Sequence, residues 1–162
     1  MTDPALLELA GRLQLACLAG ALTVATAESC TGGLIAATLT DLPGSSAYVL
    51  GGIVSYSDAA KAALLGVPAA LVWEHGAVSA EVAAAMATGA RLRFGASLAV
   101  SVTGIAGPGG GTDSKPVGLT FIGLADAAGT EVHQVTWAGD RAANRQASVA
   151  AAIAWLIERA GG

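Results

Sequence analysis

Charge is scarce in this 162-residue chain: Asp, Glu, Lys and Arg make up 12% of it, eight bases stand against twelve acids, and the formal net charge is −4. An acidic chain with thinly spread bases has no basic footprint for a polyanion, and aromatics at 4% offer few faces for stacking on bases, so direct nucleic-acid binding is not expected. The two cysteines, Cys17 and Cys30, form no C-x-x-C pair, and with two histidines they give little support to a disulfide framework or a metal cluster. The longest uncharged stretch, 94–112, runs into a Gly-rich loop around Pro108, whereas a membrane span needs about 20 apolar residues in a row. Glu8 precedes the first base, Arg12, which is the wrong order for a signal peptide. No membrane contact is expected, and the expected compartment is the cytoplasm.

What the chain has in quantity is alanine, 38 residues, which lifts the mean hydropathy to +0.62. Alanine buries little area and lets helices approach closely, so this hydropathy predicts tight helix-containing layers. Asp3-Pro4 reads as N-cap and first helical residue, with Leu6, Leu9, Leu13 and Cys17 at helical spacing to about residue 20. Strands are predicted at 22–27, 49–56, 98–103, 117–124 and 131–137. Helices are predicted from 34, from Ser57-Asp58 to Leu65, after Pro68, from Ser79 to about Phe94, and over 141–159. The alternation predicts an α/β chain: a single three-layer α/β/α domain over 1–162 with a mixed, mostly parallel sheet and one antiparallel strand near an edge. Ligands of such folds gather at the carboxyl ends of strands, where the turn 28–33, Tyr56 and the loop 104–116 fall.

The sharpest motif is A-E-S-C-T-G-G at 27–33, a strand-to-helix turn. Ser29 reads either as a nucleophile in the field of a helix N-terminus or as a plain N-cap, and Cys30 either as a thiol nucleophile or as a small packing residue. Glycines at 32 and 33 let backbone N–H groups approach an oxyanion. His75, in an expected loop, and His133, in an expected edge strand, read as structural. That leaves the only two lysines, Lys61 and Lys115, both near the ligand end. Lys61, one helical turn past the Ser57-Asp58 cap, reads as a desolvated general base or as a solvated helix residue. The loop 104–116 has five Gly and two Pro and matches no standard phosphate-loop pattern. Arg141 and Arg145, spaced i, i+4, read as an anion clamp or as a surface pair linked to Asp140.

Together, A-E-S-C-T-G-G, L-P-G-S-S-A-Y-V-L-G-G-I-V-S-Y-S with Lys61, H-G-A-V-S, T-G-I-A-G-P-G-G-G-T with K-P-V-G, and G-D-R resemble, in order over nearly the whole chain, the CinA C-terminal domain family. Its stand-alone members are PncC-type nicotinamide-nucleotide amidases. The resemblance implies hydrolysis of nicotinamide mononucleotide to nicotinate mononucleotide and ammonia, without metal or cofactor, in NAD salvage by a homo-oligomer, a dimer or higher. It places the nucleophile at Ser29 and its helpers at Tyr56 and Lys61. Substrate contacts are expected from Cys30, Thr31, Gly32 and Gly33 at the oxyanion, and from Thr103, Gly104, Gly107, Gly109, Gly110, Arg141 and Arg145 at the phosphate. The N-terminal molybdopterin-binding-like domain of many relatives is not expected here. A rival reading is a non-catalytic module that binds a pyridine nucleotide or a protein partner, in keeping with the family's association with competence and DNA damage; a second is a Ser/Lys hydrolase of another small amide.

Overall fold

Residue size alternates along the central strands, and that alternation sorts the helices onto two faces. The computed structural model describes residues 2–162. Its strands β1 (Val24–Glu28), β2 (Val49–Val54), β3 (Leu98–Gly104), β4 (Leu119–Ala125) and β5 (Thr130–Thr136) form one sheet in the order β2-β1-β3-β4-β5. β1 pairs in parallel with β2 and β3, while β4 pairs antiparallel with β3 and β5. β4 alone therefore runs against the others, beside the edge strand, as the alternation of elements predicts.

Val24, Leu98, Val100 and Val102 face α1 (Pro4–Gly20), α2 (Leu34–Thr40) and α6 (Arg141–Arg159), packing with Leu13, Ile35, Ile153 and Leu156. The opposite face is built from Ala25, Ala27 and Ala99, against α5 (Ala80–Phe94) with Val82, Met86 and Ala90. There α5 comes close enough for Ser101 Oγ to donate to the Ala83 carbonyl at 2.6 Å. The alanine load thus has a structural use: small residues on both surfaces draw the helix onto the sheet. α3 (Asp58–Leu65) and α4 (Ala69–His75) complete this layer through Leu65, Leu71 and Val72.

Local signals set most ends. Asp3, Ser57 and Ser79 accept the N-cap hydrogen bonds of α1, α3 and α5, and Gly66 and Gly95 end α3 and α5 in the left-handed conformation. Several details depart from expectation. β1 begins at Val24 instead of 22 and extends through Glu28, β2 ends at Val54 and leaves Tyr56 beyond it, β4 begins at Leu119 instead of 117, a 3₁₀ turn occupies Ser45–Ala47, and His75 closes α4 instead of lying in a loop. Among the described residues no helix is long and apolar enough to cross a membrane. The carboxyl ends of β1, β2, β3 and β5 share one rim, so the turn after β1, Tyr56, the loop after β3 and the start of α6 converge.

Candidate active site

The Ser29 turn is shaped from behind by the residue before it. Glu28 is buried at the end of β1, and its carboxylate accepts from the amides of Gly33 (3.0 Å), Ile35 (3.0 Å) and Ala36 (2.9 Å). It satisfies the orphan donors of α2, which has no side-chain cap at Gly33. Ser29 is therefore not the helix cap. It lies five residues ahead of Leu34, held by its own amide to the Val102 carbonyl at 2.9 Å. Gly32 and Gly33 take φ of +61° and +97°, which bend the chain from strand to helix within this short turn. Glu28 went unnoticed in the sequence, although an acidic residue just ahead of a Gly-Gly helix start is a recognisable signal. Glu28→Gln leaves part of this cap unmade, and urea unfolding should show a loss of about 2 kcal/mol.

Lys61 comes from α3 and is 1% exposed. Its Nζ lies 3.1 Å from Ser29 Oγ and donates to the Ser55 carbonyl at 2.9 Å. Burial disfavours the charged amine and lowers its pKa from the ordinary 10.5, with Asp58 and, more weakly, Cys30 opposing the shift. A neutral Lys61 would keep its donation to Ser55 and present its lone pair to the Ser29 hydroxyl. Of the two readings of Lys61, the solvated helix residue is excluded by its burial. Cys30 goes the other way: burial pushes its thiol up to about 11, outweighing its backbone hydrogen bond and the nearby Arg145 charge. The helix field expected to activate a thiol here is spent on the Glu28 carboxylate.

The two arginines of α6 part company. Arg145 Nε donates to the Cys30 carbonyl (3.1 Å) and Nη2 to the Thr31 carbonyl (2.9 Å), so Arg145 grips the Ser29 turn from outside. In a trans peptide the N–H points opposite the C=O, so holding the Cys30 carbonyl turns the Thr31 amide away from Arg145. Among the described residues the Cys30 and Thr31 amides donate to no other residue, the Cys30 amide meeting only its own sulfur, whereas Gly32 donates to the Ser29 carbonyl and Gly33 to Glu28. Of the four residues expected at the oxyanion, the first two thus have free donors. Arg141 lies at the cavity and donates to the Gly107 carbonyl and to the Tyr56 hydroxyl, both at 3.0 Å. Tyr56 is 60% exposed at the rim, and its hydroxyl is joined to Arg141, with Lys61 bonded instead to Ser29 and Ser55. Asn144, which the sequence did not single out, donates to the Ala106 carbonyl at 3.1 Å and accepts from the Gly139 amide. The Thr103 hydroxyl is already committed to the Ala77 carbonyl at 2.8 Å.

These groups border a cavity of about 310 Å³, whose lining joins Ser29, Lys61, Tyr56 and Arg141 to Ala77, Thr103, Gly104, Gly107, Gly109 and Gly110. A larger cleft of about 930 Å³ between α3, α4 and α5 contains none of the motif residues, so size does not locate the chemistry. The fold and site define an α/β/α domain with a serine–lysine pair at the carboxyl rim of its sheet. A profile of the CinA C-terminal domain matches residues 7–160, and the chain belongs to that family. A CinA-like protein of Geobacter sulfurreducens is 56% identical over 138 residues, 85% of this chain and 33% of the relative. One from Mycobacterium sp. is 55% identical over 148 residues, 91% and 35% respectively. The chain thus spans about a third of the length of these curated relatives. Among solved structures, the competence/damage-inducible protein CihA of Agrobacterium tumefaciens superposes with a TM-score of 0.94 at 43% identity, covering 98% of this chain and 97% of that one. A CinA superfamily protein of Klebsiella pneumoniae gives 0.93 at 35% identity, covering 96% and 98%.

Proposed function

We propose that this domain is a cytoplasmic amidohydrolase that converts nicotinamide mononucleotide to nicotinate mononucleotide and ammonia, a step of NAD salvage. The observation that carries the reading is the 3.1 Å contact between Ser29 Oγ and the buried, pKa-lowered Nζ of Lys61. Neutral Lys61 takes the Ser29 proton as Oγ bonds to the amide carbon. The oxyanion is met by the free amides of Cys30 and Thr31. When the intermediate collapses, the carbon–nitrogen bond breaks and Lys61 returns the proton to the leaving nitrogen, which departs as ammonia. Water then gives a proton to Lys61 while attacking the ester, and Ser29 recovers it from Lys61 as the acid leaves. The cationic pyridinium withdraws electrons from the amide and lowers the demand on the base.

In the same cavity, Arg141 and the amides of the loop after β3 bind the phosphate, and Tyr56 acts as a rim residue steadied by Arg141. Arg145 holds the nucleophile turn instead of the phosphate. Steady-state kinetics should separate the two arginines: Arg141→Ala raises KM about tenfold or more with a smaller change in kcat, and Arg145→Ala lowers kcat more than it raises KM. The reading is tested by ammonia release from nicotinamide mononucleotide beside nicotinamide, its riboside and glutamine. Turnover of the mononucleotide alone, or far above the rest, is expected. Preferential turnover of another amide would replace the substrate, and stabilisation by the mononucleotide without ammonia would make the domain a binding module.

A further inference from the structure

Lys115, the second of the two lysines, stands outside the chemistry just described, yet its side-chain nitrogen is bonded to backbone twice. Its Nζ donates to the His75 carbonyl at 2.5 Å and to the Val78 carbonyl at 2.7 Å. The side chain is presented by a tight turn at the far end of the loop after β3, in which the Thr112 amide donates to the Lys115 carbonyl at 2.7 Å and the Lys115 amide to Thr112 Oγ1 at 3.0 Å. The intervening carbonyls of the segment between α4 and α5 are taken as well, that of Gly76 by Ser79 Oγ and that of Ala77 by Thr103 Oγ1, both at 2.8 Å. All four carbonyls from 75 to 78 are thus held by side chains. A Cβ at position 76 would lie 2.9 Å from the Lys115 nitrogen, so the glycine there leaves room for the ammonium.

Ala77 and Val78 line the same cavity as Ser29, and among the described residues their amides donate to no protein group. Planar trans peptides fix each N–H opposite a C=O, so a segment whose carbonyls are all gripped has its amides fixed too. We propose that Lys115 is a positioning residue for the cavity: by binding the His75 and Val78 carbonyls it ties both ends of the segment 76–78 to the loop after β3, so that the two peptides between them, whose carbonyls Ser79 and Thr103 hold, keep the Ala77 and Val78 amides in place as donors for acceptor oxygens of the bound nucleotide. A lysine suits this task because a compact ammonium can give two donors to two carbonyls at once. The effect on the ligand rests on the amidase reading; the tie itself does not.

Two readouts on Lys115→Met and Lys115→Arg keep these apart. In the first, hydrogen exchange is followed over residues 76–83, where the Gly76 amide bonds to Val72 and the Val82 and Ala83 amides to Ser79. Lys115→Met should accelerate exchange there about tenfold, with Lys115→Arg partly restoring protection. In the second, nicotinamide mononucleotide turnover by Lys115→Met should show KM raised about tenfold and kcat lowered less than threefold, again with partial rescue by arginine. Unchanged exchange overturns the proposal whatever happens to the substrate. So does unchanged KM with an active parent protein, or a fall in kcat alone. A parent protein that releases no ammonia would sink the amidase reading instead, and the exchange comparison would then decide the tie alone.

Discussion

Ser29→Ala should abolish amide hydrolysis, lowering kcat by at least about a thousandfold, while Cys30→Ala keeps most of it. The two side chains are adjacent on one turn, and their environments push them to opposite roles. The Ser29 hydroxyl meets the buried amine of Lys61, which can take its proton. The Cys30 thiol is itself buried and pushed up to about 11, which leaves almost no thiolate near neutrality. Its carbonyl is fixed by Arg145, so position 30 serves through its backbone. Alanine at 30 retains that backbone, whereas alanine at 29 removes the hydroxyl proposed to attack. Ammonia release by the two variants, with circular dichroism to check the fold, gives the comparison.

Lys61→Met should cost about as much, near a thousandfold in kcat, without costing stability. The sign follows from the direction of the shift. An unfolded lysine keeps its proton up to its ordinary 10.5, whereas the folded protein releases it earlier because burial disfavours the cation. Between those two values the unfolded chain binds more protons, so stability rises with pH through that window, and below it the protonated buried amine weakens the fold. Methionine keeps the length and removes the charge, so the variant should be at least as stable as the parent at neutral pH. The parent's kcat/KM should climb with pH through a single ionisation below 10.5 and then level off. Lys61→Arg, which cannot lose its proton, should be inactive at every pH. Near-normal turnover by Lys61→Met, or a rate independent of pH across this range, would take lysine out of the mechanism.

Much of the architecture follows from local signals that the sequence carries openly. The caps at Asp3, Ser57 and Ser79 and the stops at Gly66 and Gly95 are short-range devices, and they fix helix ends wherever tertiary packing allows. The convergence of Ser29 and Lys61 could be inferred because both follow strands of one parallel pair, whose carboxyl ends must share a rim. What spacing could not reveal is which way a long side chain turns. Arg141 and Arg145 lie on one face of α6, but one turn raises them about 6 Å apart along the axis. That offset takes Arg141 to the cavity rim and sends Arg145 behind the Ser29 turn. Tyr56 likewise follows β2 beside the lysine helix, yet its hydroxyl goes outward to Arg141.

Scarcity of charge also acquires a physical sense. Lys115, Arg141 and Arg145 all bind backbone carbonyls around the cavity, and Lys61 binds one inside it. Cations used in this way fix peptide planes around the cavity, so few charges order much backbone.

The most direct measurement is acid quench of the protein during turnover of nicotinamide mononucleotide, followed by peptide mass spectrometry. The expected result is an ester of the nicotinate nucleotide on Ser29, absent from Ser29→Ala together with ammonia release. A thioester on Cys30, or full turnover by Ser29→Ala, would contradict it.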